Sequence, residues 1–118
     1  MGDLSNHFNR SEFACKSGCG YDTVDYALLR AVEAIRERFG VPVTITSGCR
    51  SPAHNEAVGG VKDSQHVRGR AADLQVSGVP PDDVADFAEG LKGISVGRYN
   101  SFTHIDSRSG PVARWDYR

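Results

Sequence analysis

Four histidines occur in the chain: His7, His54, His66 and His104. Within Ser64-Gln65-His66-Val67-Arg68-Gly69-Arg70-Ala71-Ala72-Asp73, a histidine and a carboxylate stand seven residues apart, with a glycine and two alanines between them. A turn at Gly69 lets the chain fold back so that both side chains reach one point. His104 lies much further along, in an alternating stretch where Phe102, His104 and Asp106 share one face. Two imidazoles and one carboxylate form a common catalytic zinc set, leaving a fourth position for water. A single histidine on a strand is more often hydrogen-bonded and structural, and an aspartate near a glycine more often marks a turn. Spacing alone leaves both readings open.

The elements that would position these residues follow from periodicity. Residues 24–39 read as the main helix: Leu28, Ala31, Val32, Ile35 and Phe39 recur at helical spacing and Gly40 ends the pattern. Val41 to Thr46 reads as a strand, with Pro42 marking an edge position or a strand start. Ser51-Pro52 opens a short helix to about Val58, stopped by Gly59-Gly60. Ala71 to Val76 reads as a strand with Ala72, Leu74 and Val76 on one face and Asp73 and Gln75 on the other. Pro80-Pro81-Asp82 opens another helix that turns Val84, Phe87, Ala88 and Leu91 inward. Ile94 to Tyr99 and Phe102 to Ser107 form a hairpin around Asn100-Ser101, and Trp115 and Tyr117 in the tail pack back on the sheet. The fold class expected is α+β, with helices on a small antiparallel sheet. Residues 1–22 read as an irregular arm pinned by Phe8 and Phe13, and residues 23–118 as a single domain.

With 118 residues the chain has the size of one domain. A net charge of -1 argues against nucleic acid as partner, because phosphate binding shows as a basic excess. No apolar run approaches a membrane span, so no membrane insertion is expected. The start, Met1-Gly2-Asp3-Leu4-Ser5, shows neither a basic n-region nor an apolar h-region, so no signal peptide is read there. Three cysteines, Cys15, Cys19 and Cys49, do not make a disulfide framework. Cys15 and Cys19 can pair, one of them can reach Cys49, or all can be free thiols. A structural zinc among them would need His7 as a further ligand.

Three stretches make the sequence recognisable: Ser64-x-His66-x-x-Gly69-x-Ala71-x-Asp73, Ser47-Gly48-Cys49-Arg50-Ser51-Pro52-x-His54-Asn55, and Gly97-Arg98-Tyr99-x-x-Phe102-Thr103-His104-Ile105-Asp106. Together they resemble the zinc D-alanyl-D-alanine carboxypeptidase family, above all its small single-domain members of phages and prophages. The resemblance runs from about His7 to Trp115. It implies the hedgehog/D-Ala-D-Ala peptidase-like fold, zinc on His66, Asp73 and His104, and Arg50 as the residue that binds the terminal carboxylate of the substrate peptide. A planar guanidinium fork suits that task; on residue type alone, Arg50 is a solvent-facing charge. Ser64 is implied as a partner of a zinc ligand or of substrate, or else is a loop serine. Tyr99 is a candidate to stabilise the oxyanion, or else a hairpin tyrosine.

The implied activity is zinc-dependent hydrolysis of peptide bonds in peptidoglycan stem peptides or cross-links, as a D-Ala carboxypeptidase or an endopeptidase, with a phage lysin among the readings. The expected protein is a monomer made in the cytoplasm and delivered to the wall by a holin, a phage particle or a secretion system. The chain departs from better-known relatives at the general base. Some carry a glutamate three residues before the last zinc histidine, where Ser101 stands, and others a histidine two residues before it, where Phe102 stands. Asp106 is the candidate base, or alternatively a carboxylate that orients an imidazole. Glu56 and Glu12 are weaker candidates, and His54 and His7 read as structural or surface residues. The other function class is a zinc-containing wall-binding or virion structural module without catalysis.

Overall fold

The computed structural model describes residues 7–13, 25–48, 66, 70–108 and 111–117. Arg50, Ser64, His54, Glu56, the three cysteines and the helix expected after Ser51 lie outside the described residues.

Helix α1 spans Tyr26–Phe39 and buries Leu28, Ala31, Val32 and Ile35, the stripe expected from the spacing. Gly40 ends it at φ 67°, where its N–H donates to the Arg36 carbonyl at 2.9 Å. That left-handed turn is cheap only for a residue without a Cβ. Asp25 stands at the N-cap but makes no cap bond with its side chain. Its carboxylate instead accepts from the Ser107 hydroxyl at 2.7 Å, tying the helix start to the strand that carries His104. Helix α2, Pro81–Glu89, starts with a proline in its first turn and with Asp82 and Asp83 at the positive end of the helix dipole. It buries Val84, Ala85 and Ala88, and Phe87 meets Phe39 of α1 edge-on at 6.0 Å between centroids.

Five strands complete the domain: β1 (Val43–Ser47), β2 (Ala71–Val76), β3 (Ser95–Arg98), β4 (Thr103–Asp106) and β5 (Arg114–Asp116). Their order is β1-β2-β4-β3-β5, so β1 lies at a sheet edge, the position Pro42 suggests. β2 matches the expected bounds, and β3 and β4 form the expected hairpin. The expectation of an antiparallel sheet needs correction: β5 pairs with β3 in parallel, making the sheet mixed. With only three residues, Arg114, Trp115 and Asp116, β5 carries no apolar alternation that a sequence reading could use.

One sheet face is covered by α1 and α2. Ile45, Ala72, Leu74, Val76, Val96 and Ile105 join the helix stripes there in a single core. Phe8 and Phe13 belong to that core, packed edge-on at 5.9 Å beside the 3-10 turn Arg10–Phe13. The opposite face bears a row of residues in register across all five strands. Ser47 pairs with Asp73, Asp73 with His104, His104 with Gly97, and Gly97 with Trp115. Since directly opposed residues point to the same side, this row brings Asp73 and His104 together from positions 31 apart.

Candidate metal centre

Two of the expected ligands are therefore placed by strand pairing and the third by a turn. A β-bulge between Ile45 and Ser47 sets Ser47 opposite Asp73 and leaves Thr46 to donate its hydroxyl to the Asp73 carbonyl at 3.1 Å. Gly48 follows the bulge. A Cβ built there would lie 2.5 Å from the Phe13 carbonyl oxygen, so glycine alone fits this approach. The Gly48 carbonyl receives His66, which is buried at a turn, with Nδ1 at 2.7 Å.

A carbonyl only accepts, so Nδ1 of His66 carries the proton and Nε2 presents its lone pair. Nε2 faces Asp73 Oδ1 at 3.4 Å. His104 shows the mirror arrangement. Its Nε2 donates to Asp106 Oδ2 at 2.8 Å, and its Nδ1 lies 2.8 Å from Asp73 Oδ1. Each ring is thus held through its outer nitrogen, leaving the inner one for the shared point. One ligand atom from each of His66, Asp73 and His104 lies within 4.8 Å of the others, and among the described residues this is the group able to hold a metal ion. Donors about 2.0–2.1 Å from a zinc ion stand roughly 3.4 Å apart in a tetrahedron, so a set of this composition and spacing fits one.

Burial and polar contacts act in opposite directions on these charges. For Asp73, burial pushes the pKa up, but the His104 and His66 imidazoles beside it outweigh that and hold the carboxyl well below the usual range. For Asp106, burial likewise raises the pKa, while Arg108 and His104 bring it far down. Burial pushes His104 down, yet its bonds to Asp106 and Asp73 leave it raised above the ordinary histidine value.

Asp106 has no exposed surface. Its oxygens receive Arg108 N–H at 3.2 Å, Nε at 2.8 Å and Nη2 at 2.7 Å, besides His104. Tyr99 lies in the β3–β4 loop, stacked on Phe102 at 4.3 Å, and its hydroxyl accepts from the Trp115 indole at 2.9 Å. Tyr99 is thereby linked to the group through Trp115, whose ring is 5.0 Å from that of His104. Of the weaker candidates, the two among the described residues are engaged elsewhere: Glu12 accepts from the Asn9 N–H just before the 3-10 turn, and His7 bonds to Glu33 of α1 at 2.7 Å. Three participants are missed by sequence reasoning: the Gly48 carbonyl, Arg108 and Trp115. Only the position of Arg108, two residues past a strand carboxylate, offered a signal.

The family described as Peptidase M15 matches residues 6–106. The chain belongs to that family. It is similar to the probable peptidoglycan L,D-endopeptidase MepK of Haemophilus influenzae, 35% identical over 80 residues, which cover 62% of this chain and 42% of that protein. It is also similar to the peptidoglycan L,D-endopeptidase MepK of Escherichia coli, 29% identical over 119 residues, covering 93% of this chain and 62% of that protein. The chain thus spans less than two thirds of the length of these curated relatives.

Proposed function

We propose that this chain is a zinc-dependent peptidase that hydrolyses peptide bonds in bacterial peptidoglycan, with His66, Asp73 and His104 as the metal ligands. The observation that carries the reading is the pair of imidazoles whose outer nitrogens are both bonded away, so that their inner nitrogens converge with one Asp73 oxygen. Membership of a peptidase family and likeness to two peptidoglycan L,D-endopeptidases support the substrate class. They favour an endopeptidase acting between an L- and a D-centre over a D-Ala carboxypeptidase. The hedgehog/D-Ala-D-Ala peptidase-like fold is part of the same proposal, resting on the family and on the α+β layering with helices on one sheet face.

Zinc at this group supplies a Lewis acid for the scissile carbonyl and acidifies the attacking water. The chain's own residues hold and orient. Gly48 keeps the proton of His66 on Nδ1 and Asp106 keeps that of His104 on Nε2. In binding the ion, His104 gives up any proton on Nδ1. Asp106 orients rather than acts as base, because it is fully buried with both oxygens occupied by donors. Arg50 and Ser64 remain proposed substrate contacts, and Tyr99 acts by fixing Trp115.

The alternative of a wall-binding module draws on that closure of Asp106, the carboxylate nearest at hand for base catalysis. One experiment decides. Intact peptidoglycan is incubated with zinc-loaded protein and the fragments are analysed by mass spectrometry, with His104→Ala as control. New peptide termini that are absent from the control are expected, and they name the bond. Binding to the wall with no new termini refutes the peptidase.

A further inference from the structure

We propose that Trp115 and Arg108, both beyond the residues matched by the family, are positioning residues that lock the His104 ring in its metal-ready orientation. The inference rests on the metal reading above. His104 and Trp115 are two strands apart, separated by β3. Neighbouring strands are about 4.8 Å apart, so upright side chains two strands apart would stand roughly 10 Å from each other. Their ring centroids are 5.0 Å apart. The indole leans over Gly97, which pairs with both His104 and Trp115. A Cβ at Gly97 would fall 2.4 Å from Trp115 Cε2 and Nε1. The missing side chain is the space the indole fills.

The indole is itself fixed. Its Nε1–H donates to the Tyr99 hydroxyl at 2.9 Å, and the Arg108 guanidinium lies 5.3 Å from its ring centroid. That guanidinium grips Asp106 through Nε and Nη2, and Asp106 accepts from His104 Nε2. The contacts close a loop: His104 to Asp106, to Arg108, to Trp115, and back to His104. Turning the imidazole over would break its bonds to Asp106 and Asp73, and the ring would have to turn against the neighbouring indole to do so. The loop therefore leaves one ring orientation, with Nδ1 toward Asp73. Being built around parallel β5, it makes the C-terminal strand part of the site.

The test uses the full chain, metal-free and then zinc-titrated. Two-bond proton–nitrogen spectra of the labelled protein read which ring nitrogen of His104 is protonated, and competition with a chromophoric chelator reads zinc affinity. Trp115→Ala and Arg108→Met are expected to blur the single His104 ring pattern and weaken zinc by about tenfold, the usual cost of losing an outer-shell partner. Trp115→Phe, which keeps a flat ring in place, restores affinity to within about threefold of wild type. Gly97→Ala serves as a second variant should Trp115→Ala fail to fold. It displaces the indole, so the emission of the sole tryptophan shifts to the red as affinity falls. A cooperatively folded Trp115→Ala protein with wild-type zinc affinity and an unchanged His104 pattern overturns the proposal. A wild-type chain that binds no zinc, but whose His104 pattern still collapses in Trp115→Ala, refutes the metal reading and leaves the lock standing.

Discussion

Replacing Asp106 by asparagine keeps the shape of the side chain and removes only its ability to accept on both oxygens. In the native site four donors converge on that carboxylate: three from Arg108 and one from His104. An amide offers one acceptor oxygen and one donor nitrogen. If its oxygen faces His104 and Nη2, its NH2 meets the Arg108 N–H and Nε–H donors head-on. If it is flipped, its NH2 faces His104 Nε2, which must then accept. The neutral ring then keeps its proton on Nδ1, and no lone pair is left there for the ion. Either way about two hydrogen bonds to charged groups disappear, each worth roughly 1.5–3 kcal/mol in a buried setting. Arg108 keeps 30% of its side chain in solvent, which screens part of that loss. The net expectation is about 2–3 kcal/mol of stability and a 10- to 100-fold drop (approximately) in zinc affinity. Urea denaturation should show a lower midpoint with an unchanged slope, and chelator competition should show the weaker zinc. A variant with native midpoint and native affinity would refute the claim that Asp106 sets the His104 tautomer.

His66→Ala, Asp73→Ala and His104→Ala should each reduce bound zinc from one equivalent to a small fraction, read by elemental analysis after desalting; undiminished stoichiometry removes that residue from the ligand set. Gly48→Ala forces a Cβ against the Phe13 backbone and should cost about 1–3 kcal/mol while weakening zinc, because the carbonyl that orients His66 shifts; unaltered melting and affinity contradict it. Stability of the metal-free chain should peak between the carboxylate and histidine ranges. The lowered Asp73 and Asp106 contribute stability present above the unfolded value of 3.8 and lost as pH falls through their folded values. The raised His104 contributes stability full below 6.5 and lost as pH rises through its folded value. Zinc affinity should instead rise with pH, since the ion displaces a proton from His104; urea titrations and chelator competition across the range check both slopes.

The helix stripe of Leu28, Ala31, Val32 and Ile35 and the strand Ala71–Val76 were legible because each buries one periodic face. The convergence of His66, Asp73 and His104 became legible through motif resemblance, and its cause is the register that sets Asp73 opposite His104. Register is a property of two strands together, invisible in either alone. The supporting shell stayed hidden for similar reasons. Gly48 acts through its carbonyl, which every residue possesses. Trp115 acts from a three-residue strand, and Arg108 through a contact with Asp106 that depends on the chain's path after β4. Side-chain periodicity reports burial, whereas orientation of a ligand ring depends on hydrogen bonds that no periodicity encodes.

The most direct measurement of the central claim is X-ray absorption at the zinc edge of the loaded chain. Two imidazoles, one carboxylate and one exchangeable light ligand predict a first shell of nitrogen and oxygen alone, at about 2.0–2.1 Å, with imidazole outer-shell scattering. A sulfur shell near 2.3 Å would place the ion on Cys15, Cys19 or Cys49 instead and contradict the assignment of the site to His66, Asp73 and His104.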